Sequence, residues 1–300
     1  CPRRPSAPPS SALTRVAPVP EILLLDNGSR RPQSTLALRA LAERLAGRLG
    51  QAVQPVSLAH SDQVPSARLD GRPAFILEPW LRGRLDAGAR DFLLLPLFFG
   101  LSAALTEAVP ALAAQLRAEY GPFTLTLAPP LCPLPQGEPR LTSILLDRLA
   151  SAARPMAQPS RRVVMVDHGS PSPKVNATRR WVAADLKAQL AASQPHDILL
   201  VEAAMERRPG AQYDFNGELL IEVLRRLGRE DDRDPVFVLP LFLFAGRHAG
   251  PGGDLATISA TVQAEFPNLD IHLAGLVGDH PGLIDILVSR YQEASRGQGL

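Results

Sequence analysis

Two cysteines, Cys1 and Cys132, are too few and too far apart for a disulfide framework, a Cys-based zinc site or an iron–sulfur cluster, so a reducing, cytoplasmic setting is expected. Lysine is almost missing: Lys174 and Lys187 stand against 30 arginines. With abundant alanine and proline, that skew points to a GC-rich coding bias and makes isolated arginines surface residues by default. Aromatic side chains are scarce, at 5%. No run approaches the roughly 18 apolar residues of a membrane span, and the first twenty residues, rich in Pro, Ser and Arg, lack the apolar core of a secretory signal. Residues 1–20 therefore read as a disordered tail. The chain opens on Cys1 rather than Met, which leaves residues upstream, a removed targeting segment included, as an open matter. A formal charge of +2 with no dense Lys/Arg block gives no electrostatic footprint for nucleic acid or an anionic membrane.

What the chain does have is a repeat. Val166-Asp167-His168-Gly169-Ser170 echoes Leu25-Asp26-Asn27-Gly28-Ser29 at an offset of 141, Pro240-Leu241-Phe242 echoes Pro96-Leu97-Phe98 at 144, and Pro281-Gly282-Leu283 echoes Pro139-Arg140-Leu141 at 142. Such even spacing over 300 residues, 45% of them hydrophobic, implies tandem duplication of a whole domain. Two packed halves are expected, residues 21–152 and 161–296, each with its own core, joined by a linker at 150–160 that carries Pro155 and Pro159.

Within the second half, continuous apolar runs at 163–166, 198–201, 236–242 and 269–273 read as strands buried on both faces of a parallel sheet. Helical patterns lie between and after them at 175–190, 216–227, 255–266 and 283–294. In the first of these Trp181, Val182, Leu186 and Leu190 recur at helical spacing, leaving Arg179, Asp185 and Lys187 for solvent. The first half follows the same plan, with strands at 22–25, 53–58, 92–98 and 123–127 and helices at 35–49, 101–119 and 141–150. The order implies an α/β fold: two tandem modules, each a mostly parallel, four-stranded, doubly wound sheet with flanking helices.

Open parallel sheets bind ligands beyond the carboxyl ends of their strands. His168, Glu206 and His248 of the second half all fall there, following its first, second and third strands. Two imidazoles and a carboxylate suit a borderline divalent ion such as cobalt, iron, nickel or zinc. The first half has Asn27, roughly Ser61, and Ser102 or Ala103 in their place. Joint loss of all three while Gly-Ser and Pro-Leu-Phe persist is what abandonment of a shared site produces. Arg207, Arg208, Arg247 and Lys174 would crowd the same strand ends, a rim suited to a polycarboxylate. Ser170, expected to cap the following helix, and His280, after the fourth strand, complete the candidate substrate-binding set with Arg207, Arg208 and Arg247. The segment from Ala245 to Asp254 is rich in glycine but lacks Gly-Lys-Ser/Thr and the dinucleotide fingerprint, so it reads as a loop carrying His248 over an open cleft. His60, His196 and His272 receive no chemistry.

Taken together, His168-Gly169-Ser170, Met205-Glu206-Arg207-Arg208, Tyr213-Asp214-Phe215-Asn216 and Pro240-Leu241-Phe242-Leu243 with the trailing Gly246-Arg247-His248 resemble the sirohydrochlorin chelatase family of cobalamin and siroheme synthesis. The pair of halves resembles its long, two-module form. The resemblance implies a lyase that inserts a divalent ion into sirohydrochlorin or a related acidic tetrapyrrole, with Co2+, Fe2+ or Ni2+ as substrate and no organic cofactor. It makes His168 and His248 the metal-handling imidazoles and Glu206 their acidic partner. The alternative in another class is a non-catalytic metal or tetrapyrrole carrier using the same histidines. Asp167 departs from the family, which usually has Gly before this His; it implies a less permissive loop or an extra carboxylate. Oligomeric state is left open.

Overall fold

The computed structural model describes residues 19–154, 161–193 and 198–297. The tail up to residue 18, residues 155–160 of the expected linker, and His196 lie outside them. The apolar runs form two four-stranded, all-parallel sheets. Glu21–Asp26 (β1), Val53–Ser57 (β2), Asp91–Pro96 (β3) and Thr124–Leu127 (β4) make the first, in the order β2-β1-β3-β4. Arg162–Asp167 (β5), Leu199–Ala204 (β6), Val236–Pro240 (β7) and Ile271–Leu273 (β8) repeat it as β6-β5-β7-β8. The helices of the first module are Pro32–Leu49 (α1), Leu77–Asp86 (α2), Val109–Tyr120 (α3) and Pro139–Ala153 (α4), and those of the second Pro173–Ser193 (α5), Leu220–Glu230 (α6), Asp254–Glu265 (α7) and Gly282–Gly297 (α8). No described helix is long and apolar enough to cross a membrane.

Three expectations change. Helix α2 was not anticipated, since Pro79 and Gly83 interrupt its pattern; Pro79 falls in the first turn, where a missing N–H costs nothing. The second helix of the later module starts at Leu220 rather than 216, because Ala211–Asn216 is a tight 3-10 segment ending at Gly217 with φ +74°. The last turn of α4 occupies positions 150–153, which were assigned to the linker.

Successive residues of a strand face opposite sides of its sheet, and here the two sides lead to different cores. Leu23, Leu25, Phe92 and Leu94 pack outward against α2 and α3; Val164, Val166, Val236 and Val238 pack outward against α6 and α7. Ile22, Leu24, Leu93 and Leu95 point the other way and share a single core with Val163, Met165, Phe237 and Leu239 of the second sheet. Between the sheets lie α1, α4, α5 and α8, which supply that core with Leu41, Leu145, Leu186 and Leu287 among others. Each half thus has a core of its own on the outer face of its sheet, and the two halves share a third between the sheets. The final helix of each module crosses to its neighbour: α4 packs against β7, and α8 against β3.

Polar contacts reinforce the exchange. Arg290 of α8, 4% exposed, donates to the carbonyl of Pro130 at 2.9 Å and pairs with Glu138, also 4% exposed, at 2.6 Å. Trp181 of α5 lies against Gly137, whose missing Cβ makes room for the indole. Both sheets keep their carboxyl edges free for loops.

Candidate functional site

Gly169 assembles the first part of the site. It adopts φ +85°, and a Cβ there would run into the carbonyl oxygen of Glu206, so glycine lets the loops after β5 and β6 close on each other. Their backbones then pair: Met205 N–H donates to Asp167 at 2.8 Å and Glu206 N–H to His168 at 3.2 Å. The result sets Glu206 Oε1 3.2 Å from His168 Nε2.

The Asp167 carboxylate, at the edge of the cleft, is already engaged by its neighbours. Its Oδ1 accepts the Gly169 N–H at 2.9 Å and the Arg179 Nη1 at 2.8 Å. Nor does Arg179 face solvent: it is 3% exposed and also reaches Glu202, Ala203 and the Asn216 carbonyl. Asn216 in turn accepts from Ser170 N–H and donates to the carbonyls of Ser170 and Tyr213. Ser170 is therefore held by its backbone, and its hydroxyl accepts from Ser172 N–H in a local turn, ahead of the helix it was expected to cap. This latch stiffens the loop that carries His168.

His248 arrives on the glycine-rich loop between β7 and α7. That loop folds back on itself: Leu255 N–H donates to the His248 carbonyl at 3.0 Å and Gly253 N–H to Gly250 at 2.8 Å. His248 Nε2 comes to 3.1 Å from His168 Nε2, the rings meeting edge to face at 80°. Both rings are engaged at the far nitrogen as well. His248 Nδ1 lies 2.7 Å from Asp254 Oδ2, and His168 Nδ1 lies 3.2 Å from the Gly169 carbonyl. A carboxylate and a carbonyl can only accept, so the His248 ring carries its proton on Nδ1 and turns an Nε2 lone pair to the cleft, whereas His168 meets an acceptor at each nitrogen, the Gly169 carbonyl at Nδ1 and the Glu206 carboxylate at Nε2. Two Nε2 atoms and the Glu206 oxygen thus converge, an arrangement that a divalent cation satisfies when the His168 ring keeps its proton on Nδ1. At a metal–nitrogen distance of about 2.1 Å, two adjacent ligands lie roughly 3.0–3.4 Å apart. Glu206 stands beside His168 alone, and among the described residues no three His, Cys, Asp or Glu side chains form a metal cage. The structure thus brings His168 and His248 together with Glu206 at their flank and does not close the expected three-ligand set.

Two hollows open on His168. One of about 370 Å³ is lined by Ser170, Pro171, Glu206, Arg207 and Arg208. The other, about 210 Å³, is walled by Phe242, Leu243, Val175 and, from the first module, Phe99. A larger hollow of about 610 Å³ near Trp80 lies at the opposite strand ends, where β1 and β2 begin, and holds none of the candidate residues. Arg207 bonds the Gly217 carbonyl and Asp214, Arg208 lies over the Tyr213 ring, and Arg247 is 76% exposed. Lys174 is exposed at the start of α5. His280 lines neither hollow: it accepts from Gly282 N–H and pairs with Asp147 of α4 across the module boundary.

The first module keeps the framework without the donors. Gly28, at φ +85°, crowds the Ala59 carbonyl as Gly169 crowds Glu206, so Ala59, and not Ser61, is the true counterpart of Glu206. The loop after β3 runs only from 97 to the helical turn that begins at Ala104, against 241–253 in the second module, so His248 has no counterpart at Ser102 or Ala103. Leu38 stands where α5 has Arg179, and the Asp26 carboxyl is left without a guanidinium. Burial pushes its pKa from 3.8 to about 6, although Ser57 and the Gly28 N–H hydrogen-bond to it.

The CbiX family model matches residues 21–152 and again residues 162–294. The chain belongs to the CbiX family. Its two CbiX modules agree with the chelatase resemblance carried by the His168, Glu206 and His248 motifs. Among solved structures it is similar to SirB from Bacillus subtilis with Fe3+, at 18% identity and TM-score 0.67, covering 93% of this chain and 97% of that one. It is similar too to the sirohydrochlorin chelatase SirB from Bacillus subtilis subspecies spizizenii in complex with cobalt, at 17% identity, TM-score 0.63 and the same coverage. DR2241 from Deinococcus radiodurans, a multi-domain protein with structural similarity to chelatases, is 18% identical with TM-score 0.60, over 92% of this chain and 55% of that one. No curated protein sequence matches. At these identities the structures establish the two-module α/β fold.

Proposed function

We propose that this CbiX-family chain is a chelatase that inserts Co2+ or Fe2+ into sirohydrochlorin or a related acidic tetrapyrrole, with the chemistry in the second module. The observation that carries the reading is the meeting of two imidazole Nε2 atoms at 3.1 Å beside the Glu206 carboxylate. Insertion needs an ion delivered to the face of a macrocycle while two pyrrole N–H protons depart. Two neutral imidazoles hold an ion yet leave it positions for the incoming ring nitrogens. Glu206, 64% exposed at its side chain, is placed to accept a proton and pass it to water. Phe99 and Phe242 offer an apolar wall to a ring face, and Arg207 and Arg208, with the exposed Arg247 beside His248, offer guanidinium forks to its carboxylates. The first module acts as a scaffold that closes one side of the cleft. The reaction calls for no organic cofactor, and a reducing cytoplasm is the setting that suits the chain.

The test is insertion by the purified chain, with sirohydrochlorin and each of Co2+, Fe2+ and Ni2+, followed by the absorption change against the uncatalysed rate. Acceleration with at least one ion is expected, and the ion that wins identifies the metal. Tight binding of ion or tetrapyrrole with no acceleration would overturn the enzyme reading in favour of a carrier.

A further inference from the structure

Resting on the reading of the cleft as an ion-transfer site, we propose that Asp254 is a positioning residue: it holds the Nδ1 proton of His248 and so keeps the Nε2 lone pair of that ring turned toward the ion. Asp254 is the first residue of α7, and its Oδ2 lies 2.7 Å from His248 Nδ1. Its side chain is 43% exposed, and among the described residues its other ion-pair partner, the Arg247 Nε, stands 3.9 Å away. Neither packing nor a tight ion pair explains it.

The loop is built to deliver this contact. Gly253 has no room for a Cβ, which would press on the carbonyls of Arg247, His248 and Gly250, so the chain can return sharply from His248 to the start of α7. Backbone bonds from Asp254 N–H to Arg247 and from Leu255 N–H to His248 fix the same two residues from the other side. His248 is then the anchored member of the pair, 23% exposed, whereas His168 is 47% exposed and its Nδ1 leans on the carbonyl next to it. A carboxylate dictates the tautomer because it cannot donate; an amide can do either, and would release the ring to carry its proton on Nε2, where it blocks the ion.

The experiment compares the full chain with Asp254→Asn, alone and in a His248→Ala background. Two-bond proton–nitrogen spectra of 15N-histidine-labelled, metal-free protein at alkaline pH read the tautomer directly, without any metal or turnover. The wild type should show His248 protonated on Nδ1, and Asp254→Asn should shift it toward Nε2. Titration with Co2+ alone, followed by visible absorption, should show affinity falling by roughly 10–100-fold. That loss should vanish in the His248→Ala background, and thermal unfolding should stay unchanged. An Nε2-protonated His248 in the wild type would overturn the assignment, as would wild-type Co2+ affinity in Asp254→Asn. If the tautomer result holds while the wild type inserts no metal, the chelatase reading fails and the Asp254–His248 pairing stands.

Discussion

At the scale of single residues, the shared point between His168 and His248 makes the two side chains interdependent. Removing either leaves one lone pair where two were needed, so His168→Ala and His248→Ala should each cut insertion on the order of 100-fold or more. Both rings sit in loops at the cleft surface, and the midpoint of thermal unfolding should barely move. Turnover within a few-fold of wild type in either variant would remove that imidazole from the reaction. Asp26 gives a prediction of the opposite kind, about stability and not activity. Its carboxyl is easier to protonate in the folded state, about 6 against the usual 3.8, so the stability it contributes is fully present below pH 3.8 and lost as the pH rises through about 6. The shift bounds that loss at about 3 kcal/mol. Asp26→Asn should therefore melt higher than the wild type at pH 8, with the difference closing toward pH 4. A constant difference across that range would mean that Asp26 is not the group responsible.

Among the elements, the two loops that Gly169 brings together are the most sensitive to a single atom. Gly169→Ala meets a left-handed backbone and the Glu206 carbonyl at once. It should cost about 2 kcal/mol or more and lower activity by separating Glu206 from His168. Wild-type unfolding and turnover in that variant would contradict the close approach. The strands were legible because residues buried on both sheet faces are apolar without alternation, as in Leu23-Leu24-Leu25 and Val163-Val164. His168, Glu206 and His248 were legible because strand ends announce where polar loops converge. Arg179 was misread for its charge: with Val182 and Leu186 it occupies the buried stripe of α5, and only the three-dimensional position of Asp167 explains a guanidinium there. Asp254 was passed over as the tail of a glycine run. Its signal, an acid opening a helix six residues after a histidine, gains meaning only once the loop folds back.

For the whole molecule, the shared core and the crossed helices matter more than either sheet. The even repeat spacing revealed two modules, but no periodicity tells which sheet a helix will cover, and so the exchange of α4 and α8 was hidden. Arg290 and Glu138 lie at its centre, each 4% exposed. Arg290→Ala leaves a buried carboxylate with less compensation and should cost about 3–5 kcal/mol, measurable by denaturant unfolding. A change below about 0.5 kcal/mol would show the pair to be solvated in solution. The crossing also has a consequence for synthesis. During translation the face of the first sheet that holds Leu93 and Leu95 emerges only partly covered, because the helix packed against β3 is α8, which follows the whole of the second sheet. Until α8 has been made the ribosome holds a half-clothed apolar surface, and nascent chains stalled before that helix should depend on chaperones to stay out of aggregates.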